Sequence, residues 1–376
     1  MNIGITCYPT YGGSGIVATE LGMELAARGH HVHFITYANP IRLDPDTPRI
    51  YYHEVEVSNY PLFQYPPYCL ALASRMAEVA DCYALDLLHV HYAIPHSIAA
   101  LLAQQMLAPK RCLPFVTTLH GTDITLVGLD RSYFPITKFS IEQSDGVTSI
   151  SEDLRAQTAD VFGIARPIQV IHNFVNCDLY HSSDSKKGAA QFAPAGEKLL
   201  IHLSNFRPVK RVLDCIRILA EVRQIAPAHL LMVGDGPDRG PAELLARQLG
   251  VAAHVTFLGK QNHVERLIPL AHALLMPSEM ESFGLAALEA MACSVVPVAT
   301  RVGGVPELIT HEVDGFLEAV ADIPAMAARV ASLLTDEDLH YRMSKAGRWT
   351  ASARFCSEKI IPQYESHYKE VIERAG

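Results

Sequence analysis

Short, almost wholly apolar runs recur along the chain, separated by longer stretches in which apolar residues return every three or four positions. In the first half the runs fall at residues 3–7, 32–36, 87–91, 115–119, 147–150 and 168–171. Apolar runs of this length predict strands buried on both faces. The stretches at 16–28, 67–83, 96–107 and 135–143 have helical spacing. The pattern then restarts, with strand-like runs at 198–203, 230–233, 255–258, 273–276 and 295–299, each followed by a loop and a helix. Alternation of this kind predicts parallel sheets wrapped by helices. Residues 178–198, DLYHSSDSKKGAAQFAPAGEK, are polar and rich in Ser, Ala and Gly, and predict a linker or surface excursion.

The chain of 376 residues is too long for one ordinary core. Two doubly wound α/β domains are expected, residues 1–170 and 171–358, with a last helix over about 359–376 packing back on the first. Two such domains would face a central cleft with the carboxyl ends of their strands, where ligands of open parallel sheets bind.

Composition narrows the function. With 49% hydrophobic and 19% charged residues and a net charge of -9, the chain reads as globular and acidic, without a Lys/Arg block. This argues against nucleic acid as the main partner and leaves room for a local basic pocket. No run of 18 apolar residues and no basic, apolar leader occurs, so a cytoplasmic protein without integral membrane contact is expected. Nothing here decides between a monomer and a homo-oligomer. The eight cysteines form no C-x-x-C pair and read as reduced thiols. His89, His91 and His96 lie close in sequence but lack a matching Cys or Asp cluster, and no metal is expected. The DPD at 44–46 reads as a turn and the DED at 336–338 as a helix N-terminus.

Three segments carry candidate chemistry. PTYGGSGIVATELG, 9–22, joins the first strand to a helix, and Gly13, Gly15 and Ala18 fit the dinucleotide fingerprint. That fingerprint also needs an acidic residue at the end of the second strand, yet none occurs before Asp44, so a nicotinamide cofactor is disfavoured. What remains is glycine used for close backbone approach. PSEMESFGLAALEAMA, 277–292, puts Glu281 in a loop and a helix start near Phe283, Gly284 and Leu285, an anion site by its free N–H groups, with Glu289 more than a turn further in. SNFRPVKRVLD, 204–214, gathers Arg207, Lys210 and Arg211 after a strand, a cationic counterpart for a diphosphate.

Glu281 and Glu289 form E-x7-E, and together with GDGP, the Lys-bearing loop and GGSG they make the chain resemble the retaining GT-B glycosyltransferases of family 4, over nearly its whole length. HYAIPHS, TLHGTDITLVG and SNFRPVKR are most similar to the branch that transfers N-acetylglucosamine from UDP-GlcNAc to L-malate in bacillithiol biosynthesis. The resemblance implies two Rossmann-like domains, a UDP-sugar donor and no cofactor. It implies that Gly13, Ser14 and Gly15 meet the donor, and that Lys210 and the segment Ser282, Phe283, Gly284 and Leu285 hold its diphosphate. Asn205 and Gly234 line the same site, Glu289 holds the ribose, Glu281 the sugar hydroxyls, and His120 the reacting face. Relatives carry an Arg where this chain has Asn205, which leaves Arg207 to serve the diphosphate or the acceptor. Ser14, Tyr92, Thr118 and Arg207 are the acceptor candidates. The resemblance further implies front-face attack through an oxocarbenium-like transition state. An inositol phosphate or lipid acceptor, or a UDP-sugar epimerase, remain alternatives.

Overall fold

The computed structural model describes residues 1–10, 12–44, 46–57, 64–125, 127–182, 186–193 and 196–376, without the side chains of Lys186 and Lys187. Pro45 of the DPD turn, Leu126 of TLHGTDITLVG, Tyr11 of the first loop, and 183–185 and 194–195 of the expected linker lie outside the described residues. The chain divides into two compact units, Met1–Asn173 with Ile360–Gly376, and Phe174–Lys359.

Among the described residues the first unit holds strands β1 (Asn2–Thr6), β2 (His31–Thr36), β3 (Ile50–Glu54), β4 (Leu87–His91), β5 (Phe115–Leu119), β6 (Gly146–Ser149) and β7 (Gln169–Val170). They form one sheet in the order β3-β2-β1-β4-β5-β6-β7, parallel throughout. The helices between them are α1 (Gly13–Ala27), α2 (Tyr68–Cys82), α3 (Ile98–Leu107), α4 (Thr122–Thr125), α5 (Phe134–Gln143) and α6 (Glu152–Phe162). The second unit repeats the plan with β8 (Lys198–Leu203), β9 (Ala228–Val233), β10 (Val255–Gly259), β11 (Ala273–Met276), β12 (Val296–Thr300) and β13 (Phe316–Glu318). Their order is β10-β9-β8-β11-β12-β13, again parallel. Helices α7 (Val212–Val222), α8 (Arg239–Gln248), α9 (Leu285–Ala292), α10 (Val305–Leu308), α11 (Ile323–Thr335), α12 (Glu337–Arg354) and α13 (Ser357–Ala375) complete the chain.

The apolar runs become strands because a parallel sheet covered on both faces has no exposed side for polar residues. β4 and β5 are buried along their whole length, including His89 and His91. In the second unit Val212, Ile216, Leu219 and Val222 of α7 pack with Met326, Val330 and Leu333 of α11 over the sheet. Burial of that kind contributes roughly 1.5–3 kcal/mol per large side chain. The DED cluster does start a helix: the Asp336 carboxylate accepts from Leu339 N at 2.8 Å and caps α12. From Ile360 onward α13 belongs to the first unit, where Tyr364, Tyr368 and Val371 are buried. Its Glu365 receives Arg28 at 2.8 and 3.1 Å and faces His30 Nε2 at 2.8 Å.

One expectation needs correcting. The polar stretch 178–198 is not surface throughout: Tyr180 is fully buried, and Lys186–Gln191 forms a 3-10 turn.

Candidate active site

In an open parallel sheet, ligands bind beyond the carboxyl ends of the strands at the point where strand order reverses. That point lies between β1 and β4 in the first sheet and between β8 and β11 in the second. Each unit has its predicted chemistry there.

In the second unit the loop after β8 is held from beneath. His202, on β8, faces the Leu275 carbonyl at 2.8 Å through Nδ1 and Ser204 Oγ at 2.8 Å through Nε2. Burial pushes this imidazole down to about 4, so it stays neutral near pH 7. The GDGP turn lies directly on the same loop. Gly234 has φ +128°, and a Cβ there would stand 1.8 Å from the Ser204 carbonyl oxygen, so no other residue fits. Asn205 Oδ1 is buried without a hydrogen-bond partner.

The loop after β11 brings in the opposite charge. Lys210 Nζ lies 2.6 Å from Glu281 Oε1, with side chains 23% and 13% exposed. Ser278 Oγ, on a fully buried residue, donates to the same carboxylate oxygen at 2.8 Å. The Thr300 hydroxyl holds the Ser278 carbonyl, and Gly304 N donates to the Glu281 carbonyl at 3.2 Å. Glu281 is thereby fixed through both side chain and backbone. Beyond it Gly284 forms the N-cap of α9, with no side-chain cap and no acidic residue in the first turn. Backbone N–H groups there face outward from the helix start with its positive end. Glu289, buried within α9, accepts from the Tyr180 hydroxyl at 2.8 Å.

The predicted residues differ in what their side chains do. Phe283 is buried edge-on against Phe355 at 5.6 Å, so its backbone alone could serve a ligand, while Ser282 and Leu285 are half-buried. Of the three cations in SNFRPVKR, Arg211 is engaged by Asp214 at 2.6 Å, and Arg217 shares that carboxylate at 2.6 Å. Arg207 is exposed and forms no ion pair among the described residues. Of the three cations, Lys210 and Arg207 are therefore the two that Asp214 does not engage.

In the first unit, α1 starts at Gly13 with no side-chain cap and no acid in its first turn. Gly15 is required by close packing, since a Cβ would stand 2.5 Å from the Tyr8 carbonyl oxygen, whereas one on exposed Gly13 would meet nothing within 4 Å. Ser14 Oγ donates to the Tyr92 hydroxyl at 3.1 Å. Tyr92 follows β4 with φ 86°, which turns its ring towards His120, 5.4 Å between centroids. His120 Nε2 lies 2.8 Å from His91 Nδ1, and burial pushes the His120 imidazole down to about 3. Asp123 accepts from the backbone N–H groups of Ala93, His120 and Gly121 at 3.0, 3.2 and 3.0 Å, pinning the HGTD turn beneath that ring. Thr118 differs: it is fully buried, with its hydroxyl 2.6 Å from His89 Nε2 and 2.6 Å from Thr148 Oγ1. It is therefore closed off from solvent within the unit.

Glu197, His229 and His254 are the group among the described residues whose ligand atoms approach one another as a metal would need. They stand at the amino ends of β8, β9 and β10, away from the switch point, and Arg223 already neutralises Glu197 at 2.8 Å.

Comparison with known proteins gives the family. The family Glycosyltransferase Family 4 matches residues 11–179, and Glycosyl transferases group 1 matches residues 184–350. The N-acetyl-alpha-D-glucosaminyl L-malate synthase of Bacillus anthracis is 48% identical over 373 residues, covering 99% of this chain and 97% of that protein. The chain belongs to glycosyltransferase family 4. Other relatives of this glycosyltransferase are more distant. The D-inositol 3-phosphate glycosyltransferase of Mycobacterium avium is 27% identical over 353 residues, covering 86% of this chain and 80% of its own. The fold is GT-B. The solved structure of Anabaena HepE with UDP and glucose superposes with TM-score 0.84 at 20% identity, covering 98% of this chain and 99% of its own. Sucrose-phosphate synthase from Thermosynechococcus elongatus gives 0.81 at 23% identity, covering 100% of both.

Sequence reasoning missed several supports of this glycosyltransferase's sites. Ser278 stands three residues before Glu281 in PSEME, a spacing that could have been read as a local hydrogen bond. Tyr180 carried no such signal, because its neighbours are polar.

Proposed function

We propose that the protein is a retaining transferase that moves N-acetylglucosamine from UDP-GlcNAc to the hydroxyl of L-malate, the first step of bacillithiol biosynthesis. The observation that carries this reading is the Lys210–Glu281 pair at the second sheet's switch point, in a chain 48% identical to a synthase of that name. Lys210, joined by Arg207 and the first N–H groups of α9 at Gly284 and Leu285, neutralises the diphosphate and the charge that grows on departing UDP. Glu289 holds the ribose with the carboxylate that Tyr180 orients. Glu281 leaves Lys210 for the hydroxyls of the sugar, still held by Ser278. Asn205 and Gly234 shape the wall beside them. No metal is needed for a diphosphate clamped in this way.

In the first unit, the uncapped start of α1 with Ser14 and Tyr92 supplies N–H and O–H donors for a small dicarboxylate. His120, neutral and fixed by His91, serves as a hydrogen-bonding group towards the sugar and not as a cation. The leaving diphosphate takes the proton of the attacking hydroxyl. No helix among the described residues is long and apolar enough to cross a membrane.

Mass spectrometry of the protein incubated with UDP-GlcNAc and L-malate, with inositol phosphate and acceptor-free controls, is the direct test. A glycoside formed with malate alone is expected. UDP released without a malate adduct, or an inositol phosphate adduct, would reject the acceptor and leave the donor site standing.

Replacing Glu289 with glutamine is expected to weaken UDP binding about 10- to 100-fold, the worth of a charge-assisted hydrogen bond of roughly 1.5–3 kcal/mol. Calorimetric titration with UDP measures it. Unchanged affinity would remove Glu289 from the donor site.

A further inference from the structure

The chain enters the second unit at Phe174 and leaves it at Lys359, and a cysteine lies within a few residues of each crossing. Val175 and Cys356 form a parallel bridge in which Val175 N donates to the Phe355 carbonyl at 3.0 Å and Ser357 N donates to the Val175 carbonyl at 2.9 Å. Cys177 opens the turn that follows two residues on, closed by Tyr180 N donating to the Asn176 carbonyl at 2.9 Å, and so lies beside this bridge. The two thiols are neighbours and act on each other's ionisation. Cys177 is half-buried, whereas Cys356 is 7% exposed.

Their chemistry is unequal. The neighbouring Cys177 thiol, helped by backbone amides at Cys177 and Glu358, holds the Cys356 thiol down at about 6 against the cost of burial. The same contact and burial raise the Cys177 thiol. Cys356 immediately precedes α13, a position that favours thiolate.

We propose that Cys177 and Cys356 are a redox site that closes to a disulfide by exchange with a low-molecular-weight disulfide. The half-buried Cys177 passes its proton to the neighbouring Cys356 thiolate as its sulfur attacks one sulfur of the small disulfide, whose S–S bond breaks and releases one small thiolate, which takes that proton on. The Cys356 thiolate then attacks the Cys177 sulfur, forming the internal bond and expelling the second small thiolate. Two protein thiols are oxidised, one small disulfide is reduced to two thiols, and the two protons go to those leaving groups. The new bond ties the first and last segments of the second unit into one closed loop, which restricts its unfolded chain. This inference does not rest on the substrates proposed above.

The test uses the full-length protein treated with oxidised glutathione, then alkylation, proteolysis and peptide mass spectrometry, with thermal unfolding measured in parallel. A joined peptide containing Cys177 and Cys356 is expected, with a rise in Tm of several degrees that dithiothreitol reverses. Exposed Cys82 and Cys112 report access of the oxidant by taking up glutathione. In Cys356→Ser the glutathione is expected to remain on Cys177, because nothing resolves it. Alkylation of both cysteines in the oxidised protein, or a stable glutathione adduct on Cys177 of the unsubstituted protein, would overturn the proposal.

Discussion

Replacing Lys210 with alanine is expected to lower kcat on the order of 10²–10³, about 3–4 kcal/mol, which is the usual cost of removing one preorganised group that stabilises transition-state charge. Two effects act together. The ammonium that would meet the leaving diphosphate is gone, and Glu281, 13% exposed and otherwise 2.6 Å from Lys210, loses its counter-ion beside an incoming dianion. Arginine at the same position restores charge but not the compact point contact, so recovery is expected to be partial. Folding should change little, since the pair is partly open to water and such pairs contribute about 0–1 kcal/mol. Steady-state kinetics and thermal unfolding on one preparation separate the two. A kcat near that of the unsubstituted protein would remove Lys210 from the reaction, and a collapsed Tm would instead make it a folding residue.

Acid is expected to dismantle the first unit. Burial holds His89 and His120 down to about 3 and His96 to about 4, and lowers His91 well below its ordinary value. Each is neutral in the folded unit but takes a proton in the unfolded chain near 6.5, so its contribution is complete above 6.5 and lost as pH falls towards 3–4. Asp123 works the other way. Burial raises its carboxyl to about 6, so between about 6 and its ordinary value the folded form is the one that gains a proton. For these five groups, four protons less one leave about three, or about 4 kcal/mol of stability per pH unit, and His33, His53 and His367, lowered by burial in the same unit, act in the same direction. Set against a total of roughly 5–15 kcal/mol, unfolding is expected within about two to three units below 6.5. Trp349, the single tryptophan, belongs to the second unit, so its emission reports that unit while far-ultraviolet circular dichroism reports both. Urea midpoints by dichroism at pH 7, 6 and 5 should fall steeply. A midpoint unchanged from pH 7 to 5 would show that these imidazoles are not buried neutral.

Most of the sheet architecture was legible because fully buried parallel strands are nearly continuous apolar runs. β3 was not, since at the sheet edge its residues Tyr51 and Glu54 face water and the apolar run disappears. β13 is three residues long, too short to form a pattern. Near the switch point, residues named by a loop-and-charge motif come together, as Lys210 and Glu281 do. Residues whose role depends on a distant partner were not: Tyr180 meets Glu289 across 109 positions, and Thr118 turns to His89 across the sheet. Arg211 was misread for a related reason, because Asp214, one helical turn away, had already taken its charge.

The return of the chain to its first unit reverses the order in which the halves can be completed during synthesis. The second unit is one continuous segment, Phe174–Lys359, with all its strands in hand before residue 360 is added. The first begins earlier but lacks Tyr364, Tyr368 and Val371 until the final turns of α13 emerge. His89 meanwhile waits for the hydroxyl of Tyr368, which ends up 2.7 Å from its Nδ1. The unit begun first is therefore the one whose last segment is synthesised last.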